Sequence, residues 1–561
     1  METIVSIGNQ GFDKIREAGS FYIDKTYFIK EWWESRDVIT LITRPRRFGK
    51  TLNMNMLYCF FSNQHANRSD LFENLSIWKE EKYRKIQGTY PAIFLSFAGI
   101  KADNLEDAKR QIKMQIAGLY EQNRYLLKAN LLSDNEKKWY HAMTMNMEDV
   151  ECCMAINQLC LYLSRYYGKN VIILLDEYDT PMQEAYVHGY WSEFTAFIRN
   201  LFNSTFKTNP YLERGIMTGI TRVSKESVFS DLNNLNVVTT TSDEYSTCFG
   251  FTQEEVTAAL ELFRCMNQLD EVKKWYDGFT FGSTKDIYNP WSITNYLDKK
   301  RFSPYWAATS SNGLINRLIQ SASADVKMYM EDLLKDKEII VNFDEQIVFD
   351  QLDSNKDAIW SLLVASGYLK VEQVEYRGVL RKPWYHLRIT NLETYGMFSD
   401  MFIGWFDNSM TNYNAFIESL LQGDLKAMNA YINDVALTTF SHFDTGKHPS
   451  GKTQPERFYH GFVLGLLVEL RDSYDIRSNR ESGYGRYDVM IIPRDHKQVA
   501  YVLEFKALDT DEESCLEDTV QAALHQIEEK QYDNELISLG IEQDHIRHYG
   551  FAFQGKKVLI G

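Results

Sequence analysis

The chain is poor in proline and cysteine, has no surplus of positive charge, and has no long apolar run. Ten prolines in 561 residues, beside abundant Tyr and Phe, argue against long disordered linkers. The 7 cysteines (Cys59, Cys152, Cys153, Cys160, Cys248, Cys265 and Cys515) are few and odd in number, which fits a reducing cytosol rather than a disulfide scaffold. Cys152, Cys153 and Cys160 cluster, but no second Cys or His pair completes a zinc spacing, so they read as apolar positions on a helix. With 61 basic and 77 acidic residues the net charge is −16. That excludes a global basic footprint for nucleic acid but leaves room for a local one. No stretch of about 20 apolar residues occurs, so no transmembrane helix is expected. The N-terminal METIVSIGNQGFDKIREAG lacks the apolar core of a signal peptide. A cytoplasmic protein with no membrane partner is expected. No internal repeat or low-complexity tract is present.

What remains is the composition of an ordinary globular protein, 44% hydrophobic and 25% charged, long enough for roughly three or four domains. One stretch stands out, ITRPRRFGKTLNMNM (Ile42–Met56). It ends like a phosphate-binding loop, yet Arg44 stands where the pattern G-x-x-x-x-G-K-[ST] has its first glycine. Arg44-Pro45 would supply the bend instead, with Pro45 rigidifying it. DVITLITR (Asp37–Arg44) reads as a strand and KTLNMNMLYCFFS (Lys50–Ser62) as a helix, the order such a loop needs. Backbone N–H groups at the helix start and the helix dipole favour phosphate. Gly49 permits close approach, Lys50 reaches the outer phosphates, and the Thr51 hydroxyl can ligate Mg²⁺. Arg47 and Phe48 complete the expected nucleotide-binding stretch. The GKT triplet alone fits a basic surface loop equally well.

The second half of the site decides between them. KNVIILLDEYDTP (Lys169–Pro181) is a buried-strand run ending in two carboxylates, the Walker B pattern. Asp176 would hold Mg²⁺, and Glu177 would orient and activate the attacking water. A further strand, ERGIMTGITRVS (Glu213–Ser224), offers Thr218 as a sensor of the γ-phosphate and Arg222 as a charge stabiliser. Either could instead be a strand-end hydrogen-bonder. With PAIFLSFAGI (Pro91–Ile100) as another strand, an α/β sheet with its ligand at the carboxyl ends of the strands is expected.

Residues 1–280 resemble the AAA-ATPase-like family common in anaerobic gut bacteria. The resemblance rests on FYIDKTYFIKEWW (Phe21–Trp33), RPRRFGKT (Arg44–Thr51), LLDEYDTP (Leu174–Pro181), TGITRVSKESVFS (Thr218–Ser230) and WYDGF (Trp275–Phe279). It implies that R-P-x-R-F-G-K-[ST] is the usual loop, so Arg44 is a family variant. It also implies that YIDKT (Tyr22–Thr26) lies by the nucleotide base or in the first turn of the domain. By residue type alone, Tyr22 and Lys25 could be surface groups.

FTQEEVTAALELF (Phe251–Phe263) opens with a capping box, Thr252 and Glu255. The family resemblance implies that this helix and YNPWSITNYL (Tyr288–Leu297) form a small helical lid on the ATPase core. Ala358–Asn391 reads as a helix followed by two strands turning at Arg377-Gly378, the layout of a winged helix. That fold often binds DNA and often only mediates packing.

Near the C-terminus, strands are expected over Tyr487–Pro493 and Gln498–Ala507. The first carries Asp488. The second carries Glu504 and Lys506 on one face and Phe505 on the other. Two carboxylates can hold one or two Mg²⁺ ions that lower the pKa of attacking water, and a lysine can stabilise transition-state charge. A surface E-x-K ion pair has the same spacing, but an apolar strand ending in a carboxylate and an ammonium needs a reason. A preceding helix, Pro455–Tyr474, places Glu456 and His460 four apart on one face, with His460 fitting a packing position. Gln526 lies on the following helix. Residues 450–555 resemble the PD-(D/E)xK nuclease domain attached to AAA-ATPase-like domains. The resemblance implies Gly483-Tyr484-Gly485-Arg486-Tyr487-Asp488, Glu504-Phe505-Lys506 and Gln526-Ile527 as its motifs. Arg486 would neutralise substrate phosphate and Glu481 could add an acid, though both also fit plain surface residues. From His442 to Asp509 acidic and basic side chains are equal in number. Arg477, Arg480, Arg486 and Lys506 form the basic cluster.

The expected architecture is α/β: a P-loop NTPase (AAA-like) core over 1–250, a helical lid over 251–345, a winged-helix-like and helical linker region over 346–440, and a PD-(D/E)xK restriction-endonuclease-like α/β domain over 441–561. The expected function is an ATP-binding ATPase coupled to a Mg²⁺-dependent nuclease on DNA, in defence or mobile-element processing, as a possible homo-oligomer. The alternative is a nucleotide-dependent switch whose nuclease-like domain binds rather than cuts.

Overall fold

The computed structural model describes residues 4–221, 229, 232–307, 315–316, 318–319, 322, 324–334, 336–345, 357–404, 410–439, 463, 467, 470, 473–482, 485–509, 513–554 and 557–561. The chain forms two compact units, Met1–Ile315 with Glu338–Thr394, and Asn316–Lys337 with Tyr395–Gly561.

The first unit is built on five parallel strands: β1 (Ile39–Thr43), β2 (Ala92–Ser96), β3 (Val171–Asp176), β4 (Leu212–Gly219) and β5 (Leu235–Val238), in the order β2-β3-β4-β1-β5. Every residue of β1 and β3 is buried. The Val171–Leu175 run of β3, and the Ile/Thr/Leu mixture of β1, are those of strands covered on both faces. Because β4 lies between β1 and β3, the carboxyl ends of the three strands sit side by side, Ile42 opposite Thr218 and Leu175 opposite Met217.

The helices that matter for the site are α1 (Lys50–Phe61), α2 (Asp149–Tyr167), α3 (Thr180–Val187), α4 (Gln253–Leu262), α5 (Pro290–Lys299) and α6 (Ala358–Ala365). Cys152, Cys153 and Cys160 are buried positions of α2, as their apolar surroundings suggested. The capping box at Thr252 and Glu255 forms on α4. A short antiparallel pair, β6 (Phe279–Phe281) and β7 (Thr284–Ile287), packs its phenylalanines on Phe48. After α6 comes a three-stranded sheet of β8 (Ile339–Val341), β9 (Leu369–Arg377) and β10 (Lys382–Ile389), ordered β8-β10-β9. Helix and hairpin thus fall where the sequence put them. Gly367 (φ 80°) turns the chain between α6 and β9. A Cβ there would come within 2.8 Å of Pro45 and Phe279, so only glycine fits.

The second unit holds the helix α7 (Leu425–Thr439) and a sheet whose strands run in chain order: β11 (Tyr474–Ser482), β12 (Gly485–Pro493), β13 (Ala500–Ala507), β14 (Ile546–Gln554) and β15 (Lys557–Ile560). All neighbours are antiparallel except β13 and β14. That parallel pair needs a crossover, which contains α8 (Leu516–Glu529). Leu503 and Phe505 face one apolar core, while Val502 faces the other, which contains Ile527 of α8. Alternation therefore sends Glu504 and Lys506 to the α8 side. At the far edge, Asn429 and Asn433 of α7 each donate to and accept from the main chain of β15, at Ile560 and Val558, over 2.7–3.0 Å.

Candidate active sites

The first centre lies where β1 passes into α1. Two residues of this turn are left-handed, Arg47 (φ 64°) and Gly49 (φ 79°). Arg44 is not among them, so the turn has no need of a glycine at that position. The Arg44 side chain is fully buried. Its guanidinium donates to Thr43 O at 2.9 Å, Thr239 O at 2.6 Å and Glu244 O at 3.1 Å, and lies 4.5 Å from the Phe281 ring centre. Burial pushes its pKa down to about 10, which keeps it charged at neutral pH. Arg44 is thus a strut that ties the loop to residues 239–245, a role its position in the motif did not reveal.

Lys50 is buried, and its ammonium donates to Arg44 O at 3.0 Å and Pro45 O at 2.8 Å. Burial lowers its pKa, while Glu177, Asp179 and Asp176 oppose the shift. No side chain caps α1, so its first N–H groups are left for an anion. Asp176 sits at the centre. Thr51 Oγ1 donates to Asp176 Oδ2 at 2.7 Å and Thr218 Oγ1 to Asp176 Oδ1 at 2.6 Å. Burial raises the Asp176 pKa, and the two threonine hydroxyls oppose this. Ser96 Oγ at the end of β2 lies 3.5 Å away from Asp176 Oδ2. Glu177 is held at φ 52°, its N–H directed at Thr218 Oγ1 at 3.4 Å, and its carboxylate accepts from Thr180 Oγ1 at 3.2 Å.

The first turn of α1 and the ends of β2, β3 and β4 therefore bring Thr51, Ser96, Asp176 and Thr218 together. Sequence reasoning did not single out Ser96 or Asp179. The buried Asp179 accepts from the Ile220 and Thr221 N–H groups and the Thr221 hydroxyl at 2.8–3.0 Å. Its place in LLDEYD, just past the paired carboxylates, was the available signal. Of the other expected residues, Phe48 is buried against Phe279 and Phe281, and the Arg47 guanidinium lies 4.5 Å from the Trp291 ring centre. Lys25 is buried in a 2.6 Å ion pair with Glu255, which removes the surface alternative for it. An uncapped helix, a buried ammonium and a hydroxyl–carboxylate pair suit a nucleotide triphosphate with Mg²⁺.

The second centre lies where β12 and β13 part. The paired register ends at Val489 opposite Leu503. Beyond it Phe505 N donates to Asp488 Oδ2 at 2.9 Å, so this carboxylate takes the place of a ladder carbonyl. Glu504 is 3% exposed. Its Oε1 accepts from Gln526 Nε2, while Gln526 Oε1 accepts from Lys506 Nζ at 2.7 Å. One amide on α8 thus holds both the acid and the base of E-x-K. Gln526 Nε2 also donates to Tyr532 Oη at 3.2 Å. The Tyr532 hydroxyl is pushed up to about 12, first by burial and also by the nearby Glu504 and Asp488 charges. Tyr532 was not anticipated. Arg477, expected in a basic cluster, is paired with Asp475 at 2.8 Å and Glu535 at 2.7 Å.

Arg222, Glu456 and His460 lie outside the described residues, as do the side chains of Arg480, Glu481 and Arg486. Among the described residues no group of three or more His, Cys, Asp or Glu side chains is placed to share a metal ion. Asp488 and Glu504 offer two oxygen ligands, which suits a hard dication that keeps several waters.

Comparison with known proteins finds a family match over each of the two regions. Residues 6–229 match the family described as Predicted AAA-ATPase, and residues 454–561 match the PD-(D/E)XK nuclease superfamily. The chain thus carries an AAA-ATPase-like domain followed by a PD-(D/E)XK nuclease superfamily domain at its C-terminus. It is also 24% identical to a protein of Azotobacter chroococcum mcd 1 described as "Uncharacterized protein in vnfD 5'region", over 99% of this chain and 97% of that one. No described helix is long and apolar enough to cross a membrane.

Proposed function

We propose that the protein is a cytoplasmic ATPase that governs Mg²⁺-dependent cleavage of DNA by its C-terminal domain. In this reading residues 1–250 bind the nucleotide, 251–345 cover it, 346–440 link, and 441–561 cut. The observation that carries it is the convergence of Asp488, Glu504 and Lys506 at one strand parting, with Gln526 bonded to two of them.

In the first centre Lys50 would exchange its two carbonyl partners for the outer phosphates, and Thr51 and Asp176 would hold Mg²⁺. Glu177 orients water toward the γ-phosphate, which Thr218 reports to Asp176, with Arg222 a further charge stabiliser. Bound Mg²⁺ would neutralise charge on the transferring phosphoryl group. In the second centre Asp488 and Glu504 would hold the dication, with Glu456 a further candidate acid and Arg486 a candidate to neutralise substrate phosphate. A bound dication would activate water and stabilise the leaving oxygen. Lys506, fixed by Gln526, lies beside Glu504 to stabilise the charge that develops.

The test is cleavage of linear, circular and single-stranded DNA by wild type and Lys506→Ala, with Mg²⁺ or Mn²⁺, with and without ATP. Loss of cleavage in Lys506→Ala supports the reading, and ATP dependence defines the coupling. No cleavage under any condition, with ATP hydrolysis intact, refutes it in favour of a nucleotide-dependent switch.

A further inference from the structure

The β9–β10 hairpin ends in an exposed basic tip. The strands remain paired out to Arg377 opposite Lys382. At about 3.3 Å per residue the ribbon reaches well beyond its buried base at Leu369, Tyr385 and Leu387. Residues 376–382 are all exposed. At the apex Val379 is 101% exposed and Leu380 81% exposed. Two adjacent aliphatic side chains this exposed are what a wedge requires.

Charge surrounds this apex. From Tyr376 to Arg388 the sequence holds Arg377, Arg381, Lys382 and Arg388 and no Asp or Glu, in a chain of net charge −16. The guanidiniums are arrayed on aromatic rings, Arg377 at 4.7 Å from the Trp384 centre and Arg381 at 5.8 Å from that of Tyr376. Arg377 also pairs with Glu375 at 2.7 Å, so Arg381 and Lys382 are the principal cations. The four-residue tip is set by two left-handed residues, Gly378 (φ 72°) and Arg381 (φ 47°).

We propose that this tip is a duplex-DNA contact distinct from the nuclease centre. Val379 and Leu380 press into a groove against a base step, and Arg381 and Lys382 hold the flanking phosphates. Apolar wedges flanked by basic side chains are a known way to grip and kink a duplex, and the phosphate contacts make the grip salt-dependent. This inference rests on the reading of the protein as one that acts on DNA.

The test uses the full chain, a fluorescein-labelled duplex and anisotropy titrations over a range of salt. Arg381→Ala/Lys382→Ala is expected to weaken binding about tenfold and to lower the slope of log K against log salt by about 2. Val379→Ser/Leu380→Ser is expected to weaken binding with the slope unchanged. It should also abolish the fluorescence rise of a 2-aminopurine placed at the contacted step. Thermal melting checks that these exposed substitutions leave the fold intact. If wild type binds or cuts duplex and both variants do so equally well, the inference falls and the DNA reading stands. If wild type neither binds nor cuts DNA, both fall. Variants that alter sedimentation but not DNA binding would make the tip a protein contact and also overturn the inference.

Discussion

Replacing Arg44 with the glycine that the standard phosphate loop carries should damage this protein. The substitution deletes donors to four carbonyls, Thr239 O at 2.6 Å, Thr43 O at 2.9 Å, Glu244 O at 3.1 Å and Tyr245 O at 3.5 Å, and a ring contact at 4.5 Å. Each buried carbonyl left unpaired costs about 1–3 kcal/mol. Water entering the vacated space, and relief from burying a guanidinium, offset part of this. Thr239 O keeps the Ser242 N–H at 3.2 Å and Tyr245 O keeps the Cys248 N–H at 3.2 Å, so a net loss of about 2 kcal/mol follows, carried by Thr43 O and Glu244 O. Glycine brings no conformational relief in return, because the left-handed residues of the turn are Arg47 and Gly49. The assay is urea unfolding followed by tryptophan fluorescence, paired with binding of a fluorescent ATP analogue. Arg44→Gly should lower the unfolding midpoint and weaken nucleotide binding. Arg44→Lys, which keeps the charge but lacks the fork, should fall between. An unchanged midpoint with equal or tighter nucleotide binding in Arg44→Gly would refute the reasoning.

Glu177→Gln should leave ATP binding intact and reduce hydrolysis by at least about 100-fold, read by phosphate release; retained hydrolysis would remove Glu177 from its assigned role. Gln526→Leu deletes the bonds that hold Glu504 and Lys506. At about 1.5–3 kcal/mol per charge-assisted bond it should depress kcat for DNA cleavage at least about tenfold and raise the Mg²⁺ concentration needed, with ATP hydrolysis unaltered. Gly88→Ala should destabilise by more than about 1 kcal/mol, since φ is 67° and the new Cβ would meet Ala66 Cα at 2.3 Å; chemical denaturation measures it. Glu393 is buried beneath Ser292 Oγ (2.8 Å) and Trp306 N (2.5 Å), and burial raises its pKa to about 7 although these bonds oppose the shift. The folded state therefore holds this proton more tightly than the unfolded one. Its contribution is fully present below pH about 4.5 and is lost as pH rises toward about 7, at most about 3 kcal/mol. Glu393→Gln should flatten the urea midpoint over that interval.

The sequence foretold what depends on local pattern. The strand and helix around the phosphate loop, the acidic end of β3, the capping box on α4 and the E-x-K strand all fall within a few residues of where periodicity and motif placed them. It was silent where a role depends on distant partners. Glu255 is legible as an N3 residue, but its ion pair with Lys25 spans 230 residues. Arg44 is legible as a family variant of the loop, but its part as a strut shows only when residues 239–245 are brought beside it. The resemblance names Gln526 as a motif residue, but its bond to Lys506, 20 residues away, appears only when the crossover between parallel strands swings α8 back over β13. Short strands such as β5, β6 and β8 have too few residues to establish a period.

The asparagines of α7 have a consequence beyond packing. A sheet whose last strand shows bare N–H and C=O groups invites another chain to extend it. Asn429 and Asn433, one helical turn apart, present side-chain amides that imitate a neighbouring strand, each donating and accepting once along β15. The helix thereby poses as a sixth strand and occupies this stretch of edge. A chain that loses either amide would expose a pairing template at its own terminus, with self-association as the cost.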